Sequence, residues 1–266
     1  MRQAGRYLPE YKAIRSQKRD FLKLCFCPTL ASKISLQPIE RFDLDFIILF
    51  SDILVIPFAL GQKIVFKEKL GPVLDPVTSI SELKYKNLEN CIKVLEPVFD
   101  TLHILNNKKG VKKLIGFCGG PFTVLTYMIE GGTSKDHKKI KNFIKHNEKS
   151  ADELINLLIE ISIRYLKKQI EAGAEILQVF DSWAGLLHGD IYERYIINPN
   201  KRIFDEIQRV YPNFPMIFFP RKSGKRLLDF VSKIKCHALS LDDDFPAEIL
   251  GIARKKKIVL QGNLNP

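Results

Sequence analysis

The amino-acid sequence predicts an α/β fold built around a parallel β-sheet, and three observations support this. Short apolar runs, often β-branched, alternate along the chain with longer segments of helical spacing. The short runs are apolar throughout, as is typical of parallel strands that are covered on both faces. Six such runs, each followed by a helix or a loop, suit a (β/α)₈ barrel.

The six candidate strands are all short and apolar; they are Phe46–Phe50, Leu114–Phe117, Ile176–Phe180, Met216–Phe219, Ala238–Leu241 and Ile258–Leu260. The candidate helical segments between them are Ile80–Asn106, Ser150–Ala172, Ile191–Val210 and Lys225–Lys233. Leu154, Leu157, Leu158 and Ile161 repeat at helical spacing, which indicates core packing. Because no linker, low-complexity tract or internal repeat interrupts this pattern, residues 1–266 are predicted to form a single domain.

Composition excludes several functional classes. Hydrophobic residues make up 45% of the 266 residues and charged residues 27%, as in ordinary globular proteins. The formal charge of +12 comes from scattered lysines without interleaved aromatic residues, so nucleic acid is not an expected partner. No uninterrupted apolar run approaches the roughly 18 residues that a membrane span needs.

Cysteine spacing argues against a metal site. The five cysteines are an odd number at irregular spacing, and Cys25-Phe26-Cys27 has no matching second pair. Free thiols in a reducing, cytoplasmic compartment are therefore expected. The five histidines fall in polar or helical settings, and each is expected at the surface rather than as a ligand or base.

Polar residues follow three of the candidate strands. Ser51-Asp52 comes after the first strand, Gly119–Thr123 after the second and Asp181-Ser182 after the third. The carboxyl ends of parallel strands form one rim, where barrel enzymes carry their active sites. For Asp52 the residues alone favour a helix cap, since an unpaired carboxylate beside an apolar run is costly.

The opening segment, Met1–Tyr11, contains two closely spaced arginines. Arg2 and Arg6 flank Gln3, Ala4 and Gly5. Two guanidinium groups that can reach one ligand suit a substrate with several carboxylates. The alternative is that both arginines are simply solvated.

This opening segment and five later blocks resemble, in order, the motifs of the uroporphyrinogen decarboxylase family. The later blocks are Phe50–Gly61, Gly116–Gly132, Phe180–Gly185, Phe219–Arg221 and Gln261–Leu264. The resemblance implies a (β/α)₈ barrel that removes the four acetate carboxyls of uroporphyrinogen III as CO₂, giving coproporphyrinogen III in haem biosynthesis. It also implies a cytoplasmic homodimer that uses no cofactor and no metal.

The resemblance assigns roles to individual residues. Asp52 is the catalytic carboxylate that binds the pyrrole N–H groups and opposes the cation formed when the ring is protonated. Arg2 and Arg6, with Gln3, Ala4 and Gly5, hold substrate carboxylates, and Arg2 is also a candidate catalytic proton donor. Tyr127 and Ser182 match substrate-binding hydroxyls. The alternative for Tyr127 is packing on a helix with Met128, and the alternative for Ser182 is a cap after a strand.

The chain also departs from the family pattern. Phe58 stands where many relatives carry histidine or glutamine and Phe122 where tryptophan is common; both are expected to be packing changes. Relatives have a strand before the opening motif and a last strand with a Gly-His-Gly motif, so we expect an incomplete barrel without its first and last strands. The alternatives are a truncated, inactive copy, or a cobamide-dependent methyltransferase of the same fold, whose zinc-binding residues are not evident here.

Overall fold

The computed structural model describes residues 5–18, 20–67, 70–84 and 87–263. Its strands, in chain order, are β1 Phe46–Ile48, β2 Ile64–Lys67, β3 Gly71–Leu74, β4 Lys113–Gly119, β5 Ile176–Asp181, β6 Met216–Pro220, β7 Ala238–Ser240 and β8 Val259–Gln261. All six predicted strands are confirmed, and they form one parallel sheet in the order β1-β4-β5-β6-β7-β8. The antiparallel hairpin of β2 and β3 was not predicted.

The helices, in chain order, are α1 Pro9–Gln17, α2 Phe21–Cys25, α3 Pro28–Arg41, α4 Val55–Ala59, α5 Leu88–Val94, α6 Glu96–Lys108, α7 Pro121–Glu130, α8 Lys138–His146, α9 Glu148–Glu171, α10 Gly189–Tyr192, α11 Asn198–Val210, α12 Arg226–Lys233 and α13 Glu248–Lys256. The predicted segment Ser150–Ala172 is confirmed as α9. The predicted segment Ile80–Asn106 is not one helix. It starts with the 3₁₀ turn Ile80–Glu82, α5 begins only at Leu88, and Leu95 separates α5 from α6, which has Pro97 in its first turn. A π-helical turn, Glu193–Ile197, separates α10 from α11.

Helix α7 lies among the residues of a recognised motif but has no amphipathic pattern. It buries eight of its ten residues, including the threonines Thr123 and Thr126. A helix that is covered on nearly every side has no polar face, so spacing alone does not reveal it. α7 crosses the carboxyl end of the sheet and packs against α9 and β5.

On the outer face of the sheet, Gly116 and the side-chain amide of Gln169 allow α9 to pack closely against β4. The Gln169 side chain of α9 accepts a hydrogen bond from the Phe117 N–H at 2.8 Å and donates to the Phe117 carbonyl at 2.9 Å. This close approach requires Gly116, because a Cβ there would collide with the Gln169 amide. The opposite, inner face carries Phe117 and Phe180, whose rings meet edge to face at 5.6 Å.

The sheet is open in the described part of the chain. β1 pairs with β4 and β8 pairs with β7, but β1 and β8 do not pair with each other. Val259, on the outermost strand, is 65% exposed. Six parallel strands with crossover helices, open between β1 and β8, agree with the expected barrel architecture and with its expected gap.

A small apolar cluster fixes the amino-terminal helices against the first strand. Leu8, Tyr11, Phe21 and Leu24 pack on Phe50, just beyond the end of β1. The Phe21 ring lies 5.7 Å from the Phe50 ring. This cluster brings the residues after Gly5 to the rim of the sheet.

Among the described residues, no helix is long and apolar enough to cross a membrane.

Candidate functional site

Asp52 lies at the rim, four positions beyond the end of β1. Its Oδ1 accepts a hydrogen bond from the Leu54 N–H at 2.9 Å, just before α4. Asp52 therefore does hold a backbone N–H, as the cap alternative predicted, although the helix itself begins one residue later. Its Oδ2 faces the Arg6 guanidinium at 3.8 Å, which is too long for a hydrogen bond.

The environment of Asp52 is apolar but not closed. Its side chain is 14% exposed, and burial raises the pKa of the carboxyl while the Leu54 N–H and Arg6 oppose that rise. One oxygen is committed to the backbone and the other is free for a ligand donor. A carboxylate in this state can oppose positive charge that develops beside it.

Arg6 stands over the same rim. Its side chain is 60% exposed, and its guanidinium lies 4.7 Å from the centre of the Phe21 ring. The ring therefore supports one face of the cation while the donors stay accessible. Gly5 opens the short 3₁₀ turn Gly5–Tyr7. The other predicted residues of this segment, Arg2, Gln3 and Ala4, lie outside the described residues.

Tyr127 lies on α7 and packs near the segment that follows Asp52. Burial raises the pKa of its hydroxyl, and the negative charge of Asp52 adds to that rise, so the two groups lie within electrostatic reach. The Tyr127 ring also packs against the apolar cluster that contains Leu54 and Leu74. The Tyr127 ring therefore has a packing role, against a cluster that includes Leu54, two residues after Asp52.

Ser182 directly follows β5 and is half-buried. The structure links it to Tyr127 through its neighbour Trp183, whose ring centre lies 6.1 Å from that of Tyr127. The structure therefore brings Asp52, Arg6 and Tyr127 together at the rim, with Ser182 on a neighbouring loop.

Beneath this rim is a buried polar network whose role the sequence did not reveal. Asp181 is 1% exposed, and its two oxygens accept hydrogen bonds from the Thr123 hydroxyl at 2.6 Å and the Asn200 amide at 3.0 Å. Burial raises the pKa of Asp181 to about 6, although both hydrogen bonds oppose that rise. Gly120 makes room for this carboxylate, because a Cβ at that position would collide with it. In the sequence, the Gly119-Gly120 pair is the feature that could have indicated a group packed closely against the backbone here.

His137 corrects one expectation. It was expected at the surface, but it is 4% exposed and its ring lies 4.4 Å from that of Trp183. A left-handed backbone conformation, with φ of 51°, turns the chain before α8 and places the ring inward. Burial lowers the pKa of His137. His103, His146 and His188 are exposed as expected, whereas His237 is half-buried and its Nδ1 accepts a hydrogen bond from the Met216 backbone N–H at 3.3 Å.

The two departures from the family pattern are packing residues, as expected. Phe58 lies 5.1 Å from the Phe26 ring at the edge of an apolar cleft. Phe122 is fully buried, with its ring 6.4 Å from that of Tyr195.

In the part of the chain that the structure describes, no group of three or more histidine, cysteine, aspartate and glutamate residues is arranged to hold a metal ion.

Solved structures of known proteins share this fold. A methyltransferase from Methanosarcina mazei superimposes with a TM-score of 0.70 at 19% identity, over 95% of this chain and 74% of that protein. A B12-independent methionine synthase from Shewanella sp. W3-18-1 gives a TM-score of 0.55 at 15% identity, over 88% of this chain and 69% of that protein. At these identities the similarity shows the fold alone.

Sequence comparison is more specific. Proteins named uroporphyrinogen decarboxylase are 40% identical over 268 residues in Jannaschia sp. (strain CCS1), 42% over 267 residues in Brucella anthropi and 40% over 269 residues in Rickettsia bellii. Each match covers 100% of this chain and 78% of the relative. The family model for uroporphyrinogen decarboxylase (URO-D) matches residues 1–266. The chain therefore belongs to the uroporphyrinogen decarboxylase family.

Proposed function

We propose that this protein is a carboxy-lyase that converts uroporphyrinogen III to coproporphyrinogen III, releasing the four acetate carboxyls as CO₂. The observation that carries the proposal is the rim cluster of Asp52, Arg6 and Tyr127 in a chain whose relatives bear that enzyme's name. The cluster offers one carboxylate for a cationic centre, together with a cation and a hydroxyl for carboxylates.

Substrate binding follows from the exposed donors. The Arg6 guanidinium is 60% exposed and meets Asp52 only at long range, so a substrate carboxylate can take up its free N–H donors. We assign Arg2, Gln3, Ala4 and Gly5 to the same anchoring segment. The hydroxyls of Tyr127 and Ser182 are proposed to donate to further carboxylates of this polyanionic substrate.

The chemistry needs an electron sink, which a protonated pyrrole ring supplies. When an acetate side chain loses CO₂, the electron pair of the broken C–C bond neutralises the protonated ring. A second proton then adds to the carbon that lost the carboxyl, giving a methyl group, and the ring carbon releases its extra proton, which restores the neutral aromatic pyrrole. Asp52 is placed to accept hydrogen bonds from pyrrole N–H groups and to oppose the positive charge, with Arg2 as the candidate proton donor.

The ionisation state of Asp52 gives this mechanism a pH dependence. Only the ionised carboxylate opposes the developing cation. Because burial raises the pKa of Asp52, activity should begin to fall at a higher pH than for an ordinary carboxyl as the solution is acidified. An acidic limb that disappears in Asp52→Asn would assign this titration to Asp52.

The experiment is an anaerobic assay of the full natural reading frame that contains this chain. With uroporphyrinogen III as substrate, the expected products are CO₂ and the tetracarboxylate, at a rate unchanged by a metal chelator and without added flavin or pyridoxal phosphate. Absence of the tetracarboxylate, or loss of activity with the chelator, would contradict the proposal.

The assembly and location are proposed on the same basis. The family resemblance implies a homodimer in the cytoplasm, with the tetrapyrrole as the small-molecule partner and no nucleic acid or membrane. Light scattering on the purified natural protein tests the assembly: twice the mass of one chain supports the dimer, and the mass of one chain contradicts it. Cell fractionation tests the location.

A further inference from the structure

Two proposed substrate contacts adjoin one buried network. Tyr127 lies one helical turn beyond Thr123 on α7, so both side chains are on the same face of that helix. Ser182 is the residue after Asp181 at the end of β5. Any contact between Thr123 and Asp181 therefore connects the supports of both hydroxyls.

The Thr123 hydroxyl makes this connection by donating one hydrogen bond and accepting another. It donates its single proton to Asp181 Oδ1 at 2.6 Å, and its oxygen accepts a hydrogen bond from the backbone N–H of Trp183 at 3.0 Å. These two bonds hold the residues on both sides of Ser182. Because the hydroxyl is fully buried, losing either partner leaves a polar atom unpaired.

A second helix holds the other half of the carboxylate. The Asn200 amide nitrogen of α11 donates to Asp181 Oδ2 at 3.0 Å and to the Ile196 carbonyl at 2.8 Å. On the strand side, the Gly120 N–H donates to the Phe180 carbonyl at 2.8 Å. Asp181 is thus fixed from both sides, and the turn that it begins has little freedom to shift.

We propose that Thr123 and Asp181 are positioning residues that set the spacing between the Tyr127 and Ser182 hydroxyls. The proposal rests on the proposed function, since that spacing matters only if both hydroxyls bind the substrate. The two hydroxyls come from different elements, α7 and the turn after β5, and the network is a direct polar link between those elements. A displacement of about 1 Å in a substrate-positioning group can lower a reaction rate about 100-fold.

Three variants test the proposal. Thr123→Val keeps the shape and removes the hydroxyl, whereas Thr123→Ser keeps the hydroxyl. Thr126→Val is the matched control, because Thr126 is also buried on α7 but its hydroxyl donates only within the helix, to the Phe122 carbonyl at 2.8 Å. Trp183 is the single tryptophan of the sequence, so its fluorescence reports directly on the turn that carries Ser182.

The expected result separates the first variant from the control. Thr123→Val should shift the emission of Trp183 and increase its quenching by acrylamide, and it should lower kcat/KM about 10- to 100-fold. Thr123→Ser should restore both readouts to within about threefold of the wild type, since it restores the hydrogen bonds. Thr126→Val should lower thermal stability with little change in fluorescence or kcat/KM.

Each other outcome has a defined meaning. Unchanged fluorescence in Thr123→Val, or equal changes in Thr126→Val, would overturn the proposal. Changed fluorescence with unchanged kcat/KM would also overturn it, while leaving the proposed function intact. If the wild-type protein formed no tetracarboxylate product, the proposed function would fail, and the fluorescence comparison would still decide whether Thr123 fixes the turn.

Discussion

Asp52 follows β1 and Asp181 ends β5 of the same sheet, yet their oxygens are used in opposite ways. Asp52 gives one oxygen to a backbone N–H and keeps the other at the rim, 3.8 Å from an exposed arginine. Asp181 gives both oxygens to buried side chains, at 2.6 and 3.0 Å. Burial raises the pKa of both carboxyls, so a raised pKa does not distinguish them. The two carboxylates differ in that, among the described residues, Asp52 keeps one oxygen free of hydrogen bonds, whereas both oxygens of Asp181 accept one.

We expect the largest effect from removing the negative charge of Asp52 at the rim. Asp52→Asn keeps the shape and leaves the developing cation without its counter-charge, so kcat should fall about 10²- to 10³-fold. KM should change much less, and steady-state kinetics with uroporphyrinogen III measures both. A change in affinity alone would reduce Asp52 to a structural cap and remove the contrast with Asp181.

We expect the next largest effect from removing Arg6, the cation that faces Asp52. Arg6→Ala should raise KM about 10- to 100-fold, because charged hydrogen bonds to a substrate carboxylate are lost. Arg15→Ala is the matched control: the Arg15 guanidinium also lies over Phe21, at 5.9 Å, but its side chain donates to the Lys18 carbonyl. An equal rise in KM for both variants would assign the loss to the support of Phe21 instead.

A third prediction concerns Asp181 and the pH dependence of stability. Its pKa is about 6 in the folded protein against a usual 3.8, so the unfolded chain loses this proton first as pH rises. Its contribution is therefore present at low pH and declines through pH 6. Between pH 5 and 7.5, the free energy of unfolding of the wild type relative to Asp181→Asn should fall by about 1–2 kcal/mol.

Urea unfolding of both proteins at the two pH values measures this difference. The nearby Cys118 thiol and Tyr192 hydroxyl have pKa values raised by burial, so neither titrates in this range. A wild-type protein that gained stability relative to the variant with rising pH would show that Asp181 is stabilised in its ionised form. Asp181 would then resemble Asp52 more closely than the structure indicates.

The smallest effect concerns the Tyr127 hydroxyl. Tyr127→Phe preserves the ring packing on Leu54 and Leu74, so stability should hold while KM rises several-fold for the loss of one hydrogen bond. Kinetics together with thermal unfolding separates the two roles. Loss of stability without a change in KM would leave Tyr127 with packing alone.

The sequence predicted the sheet well because its strands are continuous apolar runs. The hairpin of β2 and β3 was not predicted, and Pro72 lies within its second strand, where a proline argues against a strand. Helix α7 was not among the segments predicted from helical spacing, because burial on nearly every side removes its periodicity. Only the packing alternative for Tyr127 placed that residue on a helix.

The site was predictable in part. Asp52, Tyr127 and Ser182 were identified through family motifs. Asp52 follows β1, Ser182 follows β5 and Tyr127 lies on α7, and their roles stay predictions. The network of Asp181 could not be read from spacing, because its partners Thr123 and Asn200 lie 58 and 19 positions away in the chain. His137 was misjudged because its burial depends on contact with Trp183, which no local pattern encodes.

The space that Gly120 leaves for Asp181 has an evolutionary consequence. A side chain at position 120 would occupy the volume of the carboxylate at position 181, so the two substitutions are not independent. A lineage that changed Gly120 first would pass through a sterically blocked intermediate, whereas replacing Asp181 by glycine first would open the way, since even the Asp181 Cβ lies 2.7 Å from the place of a new Cβ. Among descendants of this chain, substitutions at the two positions should therefore occur together, and in that order.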